Sequence, residues 1–267
     1  MQPYTRRQLV RNAGAATLVG LGAGAAGIGS AQRNSRTVLH PRYDGASGLL
    51  GTREESNTLS GCWQVGVDTD GDQNDGKFAL YLSPDDLFQH AGDVTIDDLT
   101  YVAYHTKKST PTTGSQPYNV YLQLYTEPDG TDDKGSFYGY RITGEPYFAS
   151  GLDAPADEWV EWSTAGPANQ LTFYDDSYVG FGFYGGQPTL AELQAGAIDW
   201  SARKSGAPAT NIDYGAEVIK YITLQTGSGF PDSFDAYLDT VEIGIETSAG
   251  RGNGATAGQM ARIDLEP

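Results

Sequence analysis

The chain has 267 residues, with 34 Asp+Glu against 17 Lys+Arg and a formal net charge of −17. That length is enough to bury a sizeable core, and such acidity argues against nucleic acid or an anionic membrane as the main partner. The charge suits solubility in concentrated salt, where the Debye length falls to about 3 Å and self-repulsion is screened; an ordinary acidic exported protein is the other source of such a composition.

The first thirty-one residues have the layout of an export signal. Arg6, Arg7 and Arg11 form a basic start, a weakly apolar Gly/Ala-rich stretch follows, and Gly29-Ser30-Ala31 offers a small-x-small cleavage site. The paired arginines resemble the twin-arginine type, which implies export of an already folded protein, although Thr5 and Leu9 stand where that motif often has Ser and Phe. Removal of residues 1–31 takes away three arginines and no acid, leaving a net charge of −20. The stretch is too rich in glycine to read as a membrane span. Residues 32–60 are polar, hold four arginines and show no sustained period, so an extended arm or linker is expected there, with "RTVLH" as a candidate strand. "LSGC" at 59–62 has the form of a lipoprotein box, but the polar "GTREESNT" before it does not supply the apolar segment that processing needs.

From residue 61 to 267 one all-β domain is expected. Short alternating segments are punctuated by Gly, Pro, Asp and Asn: 62–68, 77–82, 98–106, 119–126, 136–142, 158–163, 170–175, 178–185, 217–226, 236–246 and 260–266. Only 189–200, "TLAELQAGAIDW", has a helical pattern, with Thr189 and Glu192 spaced as a capping box. Eleven such segments and one short helix predict a two-sheet antiparallel jelly-roll sandwich. Cys62 is the only cysteine, so no intrachain disulfide forms. No N-x-[ST] sequon occurs.

Three features could carry chemistry. The first is "DTDGDQND" at 68–75, where Asp68, Asp70, Asp72, Asn74 and Asp75 place oxygens on nearly alternate residues, as a hard calcium ion wants. It resembles the aspartate-rich calcium loops of thrombospondin type 3 and dockerin-like repeats. It departs from the EF-hand, because Gln73 occupies the glycine position and Ala79 the closing glutamate position. A solvated acidic turn fits the same residues. The second is Asp239, which the period of two places on the inward face with Val241, Ile243 and Ile245. A carboxylate there needs a cation or a hydrogen-bond network. "FDAYLDTVEIGI" resembles the closing strand of jelly-roll carbohydrate-binding modules and concanavalin A-like domains, a resemblance that implies a structural calcium near Asp239 and, with the export signal, likeness to haloarchaeal lectin-like secreted proteins. An aspartate capping a turn is the alternative.

The third is a tyrosine and amide face: Tyr121, Gln123, Tyr125, Tyr138, Tyr140, Arg141, Tyr178, Tyr184 and Tyr221. Rings of this kind stack on sugars while amides and guanidinium groups read hydroxyls; tyrosine is also simply a favoured strand residue. Catalytic patterns are poor. His40, His90 and His105 have no metal-binding spacing, and no G-x-S-x-G occurs. Glu158 and Glu161 would face opposite sides of a strand, while Glu242 and Glu246 would lie roughly 13 Å apart. The sequence therefore favours a secreted protein, at the cell surface or free, that binds an extracellular glycan with structural calcium. A filament or surface-layer subunit that pairs with neighbouring copies by strand addition is the second reading, and a sandwich glycoside hydrolase is the third. If the acidic loop binds calcium, the Asp70→Asn/Asp72→Asn double variant is expected to lower Tm in calcium and leave it unchanged in chelator. The same loss under both conditions contradicts a metal role.

Overall fold

Alternation of apolar and polar residues builds two sheets whose apolar faces meet. The computed structural model describes residues 34–39, 48–50, 62–66, 79–88, 92–109, 118–127, 141–166, 168–175, 177–179, 185–227, 230, 234–247 and 257–265. The larger sheet holds β1 (Asn34–Leu39), β2 (Gly48–Leu50), β3 (Trp63–Gly66), β5 (Leu99–Lys108), β8 (Val160–Ser163), β10 (Asp235–Thr247) and β11 (Ala257–Leu265). The smaller is ordered β4 (Ala79–Leu82), β9 (Val218–Gln225), β6 (Tyr121–Glu127) and β7 (Arg141–Gly144). The chain is thus an all-β sandwich, antiparallel throughout its ladders except that β1 runs parallel to β11. Both β1 and β2 arise from the segment expected as an arm, and both pair inside this chain's own sheet.

The thirteen-residue β10 organises the larger sheet. Along one side its first half pairs with β3 and its second half with β11; along the other it pairs with β5. Val102, Tyr104, Leu238, Val241 and Ile243 face Leu122, Leu124, Ile142, Ile222 and Leu224 in a single apolar cluster, with none of the ten more than 1 % exposed. Full burial of such side chains stabilises by about 1.5–3 kcal/mol each. The Tyr104 hydroxyl crosses the sandwich to donate to the Val120 carbonyl at 3.1 Å.

Three short helices lie outside the ladders, where one was expected: α1 (Pro84–Leu87), α2 (Leu190–Ala195) and α3 (Trp200–Arg203). The expected capping box is present, with Thr189 and Glu192 bonded reciprocally. Gly196, at φ 149°, ends α2, and Asp199 restarts the chain as α3 by accepting from Ser201 N–H at 2.9 Å. That break splits the single helix read from 189–200. Two further segments differ from expectation. Gln170, Thr172 and Tyr174 make isolated bridges instead of a ladder, and Tyr178–Val179, the described start of the expected 178–185 strand, lies in the Ser177–Val179 turn.

Loops around the helices are tied by a buried polar chain. Trp200 Nε1 donates to the Tyr214 hydroxyl at 2.9 Å, which donates to Asp175 Oδ2 at 2.9 Å. Burial, then the adjacent Asp175 charge, raises the Tyr214 phenol well above its ordinary range. Tyr214→Phe deprives both neighbours of a partner in a water-poor site and is expected to cost about 1–3 kcal/mol in urea unfolding. An unchanged midpoint would show that the chain does not hold these loops.

Candidate functional site

The register of the small sheet brings ten side-chain positions onto its outward face: Ala79 and Tyr81 from β4, Tyr221, Thr223 and Gln225 from β9, Tyr121, Gln123 and Tyr125 from β6, and Arg141 and Thr143 from β7. Their neighbours Leu80, Leu82, Leu122, Leu124, Ile142, Ile222 and Leu224 fill the core. Five residues named from sequence therefore meet in one place: Tyr121, Gln123, Tyr125, Arg141 and Tyr221.

The middle of this face is polar and withdrawn from solvent. Gln123, Thr143, Thr223 and Gln225 are all buried, so each must find partners nearby or cost the unpaired polar group's desolvation. Gln123 Nε2 donates to Thr143 Oγ1 at 2.7 Å, while Gln225 Nε2 donates to Gln123 Oε1 and, at 3.1 Å, to the Tyr121 hydroxyl. Thr223 Oγ1 adds a longer bond to the Gln123 carbonyl at 3.4 Å. The network fixes both amides and the Tyr121 ring, whose phenol burial pushes well above its ordinary range. Phe230 packs on Tyr121 and Tyr118, with ring centroids 6.1 and 4.7 Å away.

Beside this floor stands an aromatic group. Tyr81 and Tyr221, each 39 % exposed, are the exposed large hydrophobic side chains among the described residues, and they touch edge to face with centroids 5.8 Å apart. Tyr81 also lies 6.2 Å from Tyr125. Burial raises the Tyr125 phenol, opposed by the Arg141 charge and by hydrogen bonds from Arg141 and Tyr81. Tyr81 belongs to this site but was not among the sequence candidates. Its signal was present in "KFALYL", where Leu80 and Leu82 alternate with it.

The remaining candidates fall elsewhere. Tyr178 lies in the Ser177–Val179 turn, packed against the core, and is not one of the ten face positions. Tyr138, Tyr140 and Tyr184, together with Asp68, Asp70, Asp72, Asn74 and Asp75, lie outside the described residues.

Asp239 is wholly buried, but its expected alternation with Val241 is corrected by a bulge. The register of β10 against β5 shifts between Asp239 and Val241, leaving Thr240 as the extra residue at φ 37°. Ala236 and Leu238 therefore point inward before the bulge, and Val241, Ile243 and Ile245 after it. Asp239 Oδ1 accepts from Thr240 N–H at 2.7 Å and from Thr240 Oγ1 at 3.3 Å. It stands opposite His105, whose Nε2 lies 3.3 Å from Glu161 Oε2. Calcium takes six to eight oxygens; among the described residues no group of three or more His, Cys, Asp or Glu is gathered to hold a metal.

Sequence reasoning missed Glu145, which follows β7 and is only 2 % exposed. Its Oε2 accepts the Phe148 N–H, while Oε1 is buried without a hydrogen-bond partner. Burial pushes this carboxyl up to about 8, against the pull of the Phe148, Ala149 and Tyr147 backbone groups, and Asp153 adds repulsion. No signal distinguished it from the chain's many surface acids.

Comparison with protein families, curated sequences and solved structures gives no match. Among the described residues no helix is long and apolar enough to cross a membrane.

Between pH 4.5 and 8, Glu145 is protonated in the folded chain and ionised in the unfolded one, so stability is lost as pH rises through that window. Glu145→Gln keeps an acceptor for Phe148 and removes the titration. Unfolding curves of the two proteins are expected to diverge by about 1.4 kcal/mol per pH unit across the window, with the variant the more stable at alkaline pH. Parallel curves would contradict the burial-raised carboxyl.

Proposed function

We propose that this chain is an exported, salt-adapted extracellular binding protein whose small-sheet face takes a glycan. The observation that carries the reading is the exposed Tyr81–Tyr221 pair with Tyr125, beside a hydrogen-bonded floor of Gln123, Gln225, Thr143 and Thr223. Sugars present apolar ring faces and directional hydroxyls; the exposed rings of Tyr81 and Tyr221 offer stacking to the first and their phenol groups bonds to the second. The buried amides tie β6, β7 and β9 together beneath the rings, and a framework fixed beforehand lowers the ordering cost on binding. The basic, Gly/Ala-rich start of the chain supports export, and the net charge of −17 supports work in high salt. Structural calcium enters this reading through the acidic loop at 68–75 and the resemblance around Asp239, and rests on those alone.

Assembly with neighbouring copies is a second reading, favoured by one feature: β1 sits at the sheet edge on a parallel ladder to β11. A donor strand would first have to leave that place in its own sheet.

Retention on immobilised glycans in high salt tests the main reading. The Tyr81→Ala/Tyr221→Ala double variant is expected to bind about tenfold more weakly, the loss of two stacking contacts. Its Tm should move little, because both rings are 39 % exposed. Undiminished retention would remove this face from the function.

A further inference from the structure

Resting on the glycan reading, we propose that the ligand is an acidic sugar whose carboxylate or sulfate is received by Arg141 at the β7 side of the tyrosine face. The register sets Arg141 opposite Tyr125, and Tyr125 opposite Tyr221, so the guanidinium stands in line with two rings. A sugar stacked there would bring a ring substituent toward it.

The charge pattern of the face gives the second support. The chain carries twice as many acids as bases; the ten positions named above hold one cation, Arg141, while the next outward position of β6, Glu127, carries a carboxylate. That carboxylate is paired with Lys220, the extra residue of the β9 bulge. Glu145, one residue beyond β7, is buried and its Oε2 accepts the Phe148 N–H, so its carboxyl is engaged by its own loop.

Arginine suits the task chemically. Its planar guanidinium forms paired bonds to carboxylate or sulfate oxygens and stays charged at every working pH. Its bond to the Tyr125 hydroxyl ties its orientation to the aromatic group. In concentrated salt the overall negative charge of the protein is screened within about 3 Å, so it does not repel a polyanion from afar. Direct bidentate contact acts inside that distance.

The test is calorimetric titration of the full chain, in high salt, with oligogalacturonides, sulfated galacto-oligosaccharides and neutral galacto-oligosaccharides of equal length. At least one acidic series is expected to bind about tenfold or more tightly than the neutral one, and the series that does so identifies carboxylate or sulfate. Arg141→Gln should bring acidic and neutral affinities together, and Arg141→Lys, which keeps the charge but not the fork, should fall between. Equal binding of acidic and neutral sugars by the unaltered protein would overturn the acidic ligand and leave the glycan reading standing. A preference that survives in both variants, with folding verified by near-UV circular dichroism, would also overturn it. Binding of none of the three would overturn this inference together with the glycan reading.

Discussion

Gln123, Thr143, Thr223 and Gln225 have been taken out of water on the outward face of a sheet, and they must satisfy one another there. This constraint governs the small sheet. The two amides point in one arrangement because Gln225 bonds both Gln123 and Tyr121, while Gln123 passes its own donor to Thr143. That chain of bonds runs across β9, β6 and β7, perpendicular to the strands, and so adds a side-chain ladder to the backbone one. A one-residue slip in any of these strands would send the amides into the apolar core and the leucines outward. The floor therefore fixes the register, and the register in turn puts Tyr81, Tyr125, Tyr221 and Arg141 together.

The acidic composition acts on a different scale. Net charge governs solubility and long-range repulsion, and salt removes most of the latter. Contacts within a few ångströms survive such screening, which is why one arginine beside aromatic rings can matter in a chain of 34 acids. The polar bonds of the floor and the apolar contacts between the sheets are likewise short in range.

Period-two alternation made much of this visible in the sequence. It assigned Leu122 and Leu124 to one side of β6 and Tyr121, Gln123 and Tyr125 to the other, and the structure agrees. The capping box at Thr189 was equally legible, because its signal is local. What failed was anything decided by a single backbone irregularity. Thr240 is one extra residue in β10; it shifts the phase, so Asp239 could not be placed by counting from Val241. Gly196 broke a helix that its side-chain pattern would have continued. Burial depth was not legible either. Nothing in "NVYLQLYT" says that Gln123 is buried while Tyr125 is only partly so, since that depends on β7 and β9 closing in from other parts of the chain. Glu145 belongs to the same class, as its environment comes from tertiary packing alone.

The most direct test of the account is to map where a sugar touches the protein. Isotopically labelled protein, titrated in high salt with the oligosaccharide series that binds most tightly, would report the location through NMR shifts. The largest shifts are expected on Tyr81, Tyr125, Tyr221 and Arg141, with smaller ones on Gln123 and Gln225 beneath them. Shifts concentrated on the larger sheet, or none at saturating ligand, would contradict it.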